Sequence, residues 1–373
     1  MSKNKNESSR DGLGFMDKKT IRKSEETVEF TLSSSKPYIA NAIRRFCMSK
    51  VPIFSFFDSS IHIHTNTGVL HHEIMKHRLS LIPLYRSQND ESILSYQFVI
   101  NITATDTIQD VFTRDIKVLD RDQVEHPELT SFYFSSPFQE EGETSYILIT
   151  KLRKDECLHV TMTAVQGTGQ QHACFSPVSR CVFINTLDQV QIDAKKNELS
   201  TIEEQKQFEI HEKYRHFIMD KENNPTSFDF MIDSLGQYPS YQIVYEAIHQ
   251  LHTSLETMIK TMTPILSQSI TDHRAAEFAF TDIDHGIANL IQGYCYDHYQ
   301  DKLQYIGYHK PHPLNSTIVF RMVPIVVQQQ GEGNEEKEKE TFLDDCRHVF
   351  QQMMMELHEK VGILQEQVKI RVL

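Results

Sequence analysis

Ala40-Asn41-Ala42-Ile43-Arg44-Arg45 is the stretch on which the reading of this chain turns. Just upstream, Val28, Phe30 and Leu32 alternate with Thr27, Glu29 and Thr31. A period of two is that of a half-buried strand. Ser33 to Ser35 offer an N-cap for a helix, and Pro37 suits its first turn. Ile39, Ile43, Phe46 and Cys47 then recur at helical spacing, which gives one apolar stripe. Asn41 flanks that stripe, and Arg44 and Arg45 lie off it. Pro52 ends the helix. A second strand, Phe57 to Thr65, alternates through Ile61 and Ile63, and an apolar and basic run from Val69 to Leu84 comes next.

Taken together these stretches resemble a known family. Asn41-Ala42-Ile43-Arg44-Arg45, then Val51-Pro52, then Val69-Leu70 with Glu73, Arg78-Leu79 and Leu81-Ile82-Pro83-Leu84, is similar to the third-largest subunit of eukaryotic RNA polymerase II. The archaeal D subunit and the bacterial α subunit share a shorter form. Ile147 to Lys154 and Val165 to Gly169 resemble the same subunit, in an inserted domain that interrupts its dimerisation domain.

The composition is compatible with such a subunit. The chain has 373 residues, enough for two or three domains, with 39 % hydrophobic and 24 % charged residues. A formal charge of −13 argues against a general nucleic-acid binder, because phosphate contacts need a cationic face. No direct DNA contact is expected. No run of 18 apolar residues suggests a membrane span. Met1 to Lys23 is polar and basic, unlike a secretory signal. The six cysteines, at 47, 157, 174, 181, 295 and 346, form no Cys-x-x-Cys pair and read as reduced thiols.

Residues 1–24 are too polar to bury a core and read as a mobile tail. Tyr96 to Ile102, Ser145 to Leu152 and Leu158 to Ala164 are strand-like, and Lys195 to Asn224 reads as a charged, partly helical surface connection. Ser227 to Ser234 alternates again through Phe228, Phe230 and Ile232. After a Leu235-Gly236 turn, Gln242 to Thr261 carries a long apolar stripe that includes Ile248, Leu251, Leu255 and Met258. Pro264 stops it.

A linker, 265–276, leads to the second half. At ~3.5 Å per extended residue it spans ~40 Å, enough to reach a neighbouring domain. Phe278 and Phe280 lie in a short strand. Asp282 or Asp284 can cap a helix carrying Ile287, Leu290 and Ile291. His285 to Ile291, and Gly307-Tyr308 with Pro311-His312-Pro313-Leu314, resemble the eleventh subunit of RNA polymerase II, called L in archaea. Ser316 to Pro324 is a strand, and Gln328 to Glu340 is low-complexity and reads as a solvated loop. Thr341 to Val368 is the last helix. Phe350, Met353, Leu357, Val361 and Leu364 recur on one side at close to heptad spacing.

This helix is too apolar on one face to stand alone, and so is 242–261. Burying five or six aliphatic side chains at ~1.5–3 kcal/mol each contributes on the order of 10 kcal/mol before entropy is subtracted. Packing the two helices on each other supplies that burial. The fold class expected is therefore α+β. Two α-subunit-like dimerisation domains, 25–56 plus 225–264 and 277–373, pair within one chain through long helices. A β-rich inserted domain and connection, 57–224, interrupts the first. The internal interface would comprise Ile39, Ile43, Phe46, Ile248, Leu251, Leu255, Met258, Leu290, Ile291, Phe350, Met353, Leu357, Val361 and Leu364. In the family, separate subunits make this pair. One chain carrying both resembles polymerases of large DNA viruses, which implies a nuclear or cytoplasmic-factory location and packaging in a virion. A linker that holds the halves at millimolar effective concentration or above makes a homodimer unnecessary.

No catalytic constellation is present: no phosphate-binding glycine loop, no nucleophile elbow, no Asp-x-Asp-x-Asp cluster for magnesium. His62 and His64 share a strand face, with His71, His72 and His77 downstream. His72-Glu73-x-x-x-His77 has one residue too many for the His-Glu-x-x-His zinc spacing, so scattered histidines are the simpler reading. The stretch that resembles the family's zinc loop, Tyr85 to Tyr96, has no cysteine. No metal and no cofactor are expected.

The resemblance implies a non-catalytic assembly scaffold of a multisubunit DNA-directed RNA polymerase. Arg44 and Arg45 would face the second-largest subunit, with Asn41, His77 and Arg78 at matching positions. Guanidinium forks suit carboxylates across an interface. The largest subunit would join next, alongside small tenth- and twelfth-subunit-like proteins. Two alternatives stay open on sequence: a metal-dependent enzyme using the histidine-rich region, and a free-standing interaction adaptor.

Overall fold

The computed structural model describes residues 13–88, 90–105, 107–138, 145–262, 264–266, 275–325 and 335–371. Most of the linker 265–276 and residues 328–334 of the low-complexity stretch lie outside them.

In chain order the first half of the polypeptide runs β1 (Phe15–Met16), β2 (Arg22–Lys23), β3 (Thr27–Ser33), α1 (Pro37–Ser49), β4 (Pro52–Asn66), α2 (His72–Ser80), β5 (Gln97–Thr103), β6 (Ile108–Phe112), β7 (Lys117–Leu119), α3 (Pro127–Phe134), β8 (Leu148–Arg153) and β9 (Cys157–Thr168). It continues with β10 (Val178–Asn185), α4 (Gln189–Glu198), α5 (Ile202–His211), β11 (Ser227–Ser234) and α6 (Ser240–Thr261). The remainder is β12 (Pro264–Leu266), β13 (Ala276–Phe280), α7 (His285–His298), β14 (Leu303–His309), β15 (Ile318–Pro324) and α8 (Glu335–Arg371). The protein is thus mixed helix and sheet.

Two antiparallel sheets carry the long helices. One has the order β1-β3-β11-β10, with β2 added on β3. Phe30 faces Phe230 across the β3–β11 pair and their rings stack at 4.8 Å. The other has the order β12-β13-β15-β14. Between them α1, α6, α7 and α8 share one hydrophobic core. A second core lies around Phe56, Phe98, Tyr133 and Phe134, built on the sheet β4-β9-β5-β7 with α2 and α3. β4 feeds both cores: Ile53 is buried in the first, Phe54, Phe56 and Ile61 in the second. Strand β10 adds to the sheet of β3 and β11, and Cys174, Phe175, Val178 and Cys181 are buried in the first core.

Three expectations differ from the observed fold. Residues 13–24 do bury core: Leu13 and Met16 are 4 % and 0 % exposed, and β1 and β2 pair with β3. A polar composition hid a few apolar residues whose partner strand is local enough to dock on cheaply. Secondly, no serine side chain caps α1; its N-cap is Lys36. Ser35 Oγ instead donates to the Leu13 carbonyl at 2.7 Å, which ties the N-terminal segment down. Gly14 makes this approach possible, with φ at +114° and a Cβ position only 2.8 Å from that of Ser35. Thirdly, α8 begins at Glu335, inside the stretch read as a loop. Glu and Lys are good helix formers, so charge density there does not mean a loop.

Candidate partner-binding surface on the first helix

α1 is amphipathic, and Ile39, Ala40, Ala42, Ile43, Phe46 and Cys47 face the core. That leaves Asn41, Arg44 and Met48 along one outer edge. Arg44 donates to Asn41 Oδ1 from Nη2 at 2.9 Å and from Nε at 3.3 Å, and Nη1 reaches the Met48 sulfur at 3.3 Å. No carboxylate pairs with Arg44 among the described residues. Its guanidinium is held in place along the helix, with its charge uncompensated among the described residues.

Arg45 is used differently. Its Nη2 lies 3.0 Å from Asp284 Oδ2, with side-chain exposures of 39 % and 15 %. Asp284 is the N-cap of α7, where Oδ1 accepts from the backbone amides of Gly286 and Ile287 at 3.0 and 3.2 Å. Burial pushes the Asp284 carboxyl up, but the Arg45 hydrogen bond, the Ile287 amide and the nearby Arg45 and Lys50 charges outweigh it and hold it below the usual carboxylate value. So Arg45, expected to look outward, is engaged inside the chain.

The same crossing of α1 and α7 holds two features that the sequence pattern did not reveal. The Tyr38 hydroxyl donates to Asp297 Oδ2 at 3.0 Å. Gly293 lies under the Tyr38 ring, where a Cβ would sit 2.5 Å from its Cδ1. Gly286 and Gly293 are seven residues apart, two helical turns, and so lie on one face of α7. That spacing was the available signal for a close helix approach.

His77 and Arg78 lie elsewhere, on α2 against the second core. Arg78 donates to the carbonyls of Ile149 and Leu148, both at 3.0 Å, and so braces β8. His77 is exposed. No hydrogen bond or ion pair joins His77 or Arg78 to Asn41 or Arg44 among the described residues. The histidines nearby form pairs at most among the described residues: the His64 and His159 rings lie tilted at 34° with centroids 4.6 Å apart, and His64 Nε2 is 2.9 Å from Thr161 Oγ1. Among the described residues no three His, Cys, Asp or Glu side chains are grouped to hold a metal ion. No helix there is long and apolar enough to cross a membrane.

Ile39, Ile43, Phe46, Ile248, Leu251, Leu255, Met258, Leu290, Ile291, Phe350, Met353, Leu357, Val361 and Leu364 are all buried in the first core. α6 packs along α8, and α1 packs on both α6 and α7. Phe350 stacks on Phe278 of β13 at 4.5 Å.

The site is thus a sheet-backed α1 with an arginine edge, above a core that α1 shares with α6, α7 and α8. No protein-family model matches the chain. It is, at low identity, homologous to α-like RNA polymerase subunits. It is 24 % identical over 311 residues to the DNA-directed RNA polymerase II subunit RPB3 of Schizosaccharomyces pombe, covering 72 % of this chain and 97 % of that protein. It is 25 % identical over 271 residues to the Rpo3 subunit of Pyrococcus horikoshii, covering 65 % of this chain and 96 % of that one. With RPAC1 of Mus musculus, a subunit of RNA polymerases I and III, identity is 28 % over 180 residues, or 43 % of this chain and 51 % of the relative. The chain therefore spans about half the length of that last relative.

Proposed function

We propose that this chain is a non-catalytic assembly scaffold of a multisubunit DNA-directed RNA polymerase, and that it combines two α-subunit-like halves in one polypeptide. β3, α1, β10, β11 and α6 make the first half. β13, α7, β14, β15 and α8 make the second. The elements from β4 to β9 around the second core are the inserted domain. The burial of Cys174, Phe175, Val178 and Cys181 in the first core supports a return of the chain to the first half well before residue 225.

One observation carries the reading. Nearly the full length of the fission-yeast polymerase subunit aligns with 72 % of this chain, and the first core takes in α8 together with α1, α6 and α7. A long helix that fills the core of an α-like subunit is what a second half would contribute.

In this reading Arg44, set by Asn41, meets acidic groups on the second-largest polymerase subunit, and the largest subunit joins afterwards. His77 and Arg78 of α2 would also face the large subunits, and small subunits of the tenth and twelfth type complete the assembly. The experiment is affinity capture of the tagged chain from the cells in which it is expressed naturally, followed by mass spectrometry. The two large polymerase subunits are expected in stoichiometric amounts. Recovery of the folded chain without any polymerase subunit would refute the assignment.

A further inference from the structure

The seam between α6 and α8 contains a polar strip that core packing does not need. His252 of α6 and His358 of α8 stack ring on ring, with centroids 3.7 Å apart and planes at 29°. His358 Nε2 is buried and has no hydrogen-bond partner among the described residues. Gly362, one turn after His358, leaves space for the pair: a Cβ there would lie 3.3 Å from His252 Nε2. One turn before His252, His249 Nδ1 is 3.3 Å from Gln365 Nε2, which also donates to the Tyr245 hydroxyl at 3.3 Å.

Two neutral imidazoles stack favourably, but two protonated ones place like charges face to face at that distance in a part-buried seam. The groups able to offset this are few. On α6, Glu256 lies one turn beyond His252, but it is exposed and paired with Lys260 at 2.6 Å. His249, also on α6, adds a third imidazole of the same sign when charged. Further back on α6, Glu246 is part-buried, and burial pushes its carboxyl up, which favours its neutral form. On α8, Glu356 is bonded to Gln352 at 3.2 Å, Glu359 is exposed, and the Lys360 ammonium sits over the Tyr294 ring of α7 at 5.1 Å.

We propose that the His252–His358 stack is a pH-responsive clasp, which closes the α6–α8 seam when both rings are neutral and loosens it on mild acidification. Burial and then the neighbouring His358 push His252 below the ordinary histidine value. A depressed value in the folded state means the contribution is fully present above about pH 6.5 and is lost as the pH falls through the folded value. The clasp depends only on the packing of α6 on α8, so it stands or falls apart from the polymerase reading.

Amide hydrogen exchange of the full chain tests it, at about pH 7.5 and about pH 5.5, corrected for intrinsic exchange, in wild type, His252→Gln and His358→Gln. Protection of α6 and α8 is expected to fall at least about tenfold more on acidification in wild type than in either variant. An equal fall in all three overturns the clasp. Should a variant not fold, imidazole titration of the wild type by NMR decides. At least one ring of the pair titrating below the exposed histidines supports the clasp, and both titrating with them contradicts it.

Discussion

Arg45 Nη2 and Asp284 Oδ2 stand 3.0 Å apart where α1 meets the start of α7. The contact joins residues 239 positions apart. Its carboxylate does two tasks at once, pairing with the guanidinium and capping a helix. Asp284→Ala should therefore cost more than Arg45→Ala: about 2 kcal/mol for the lost cap and pair together, against about 1 kcal/mol for the pair alone. Chemical denaturation of both single variants and the double variant gives the coupling directly. Because the Asp284 carboxyl is held low, its contribution is present above the ordinary aspartate value near pH 4 and lost as pH falls through the folded value. The stability difference between wild type and Asp284→Asn should shrink over that acid range.

Gly293 under Tyr38 makes a sharper case, since the helix propensity of alanine works against the steric effect. In an exposed helix Gly→Ala stabilises by up to about 1 kcal/mol. Here the Cβ would sit 2.5 Å from the base of an aromatic ring that is itself tethered to Asp297. Gly293→Ala should destabilise by about 1–3 kcal/mol. Adding Tyr38→Ala should make the alanine at 293 neutral or favourable, which thermal melting of the pair would detect.

The seam helices can be tested by truncation. Leu255 of α6 and Leu357 of α8 are both fully buried. Leu255→Ala and Leu357→Ala should each cost about 2–5 kcal/mol. Ile370, on the same helix but 74 % exposed, should cost little on truncation. Equal effects at Leu357 and Ile370 in urea unfolding would mean that α8 does not hold the core.

Arg44 and Arg45 should separate in function. Among the described residues Arg44 meets no carboxylate, so Arg44→Glu should leave the melting temperature within a few degrees of wild type while it weakens capture of the second-largest polymerase subunit. Arg45→Glu would set a carboxylate against Asp284 and should lower the melting temperature itself. Capture experiments on both variants, read alongside their melting curves, check the assignment. Undiminished capture by Arg44→Glu would move the docking surface elsewhere.

The long helices were legible because their apolar residues repeat at helical spacing over many turns, as with Ile248, Leu251 and Leu255, or Phe350, Met353 and Leu357. The strands β3 and β11 were legible from strict alternation, and their aromatic pair Phe30–Phe230 follows from it. The hidden part was long-range. Arg45 had a sufficient local reading as a surface cation, and Asp284 one as a cap, so neither pointed to the other. Leu13, Phe15 and Met16 are a few apolar residues in a polar stretch, too short a run to reveal that β1 docks on β3. The His252–His358 stack lies at the edge of two apolar stripes, where a histidine on either helix looks solvated until the helices are set side by side.

The central claim is that two unlike halves of one polypeptide pair through α6 and α8. Placing a specific protease site between residues 267 and 274 of the full chain and cutting it tests this directly, with size-exclusion chromatography and light scattering as the readout. The account predicts that both pieces elute together at the mass of the uncut chain and part only under denaturing conditions. Two separate, soluble, folded species after cleavage would contradict it.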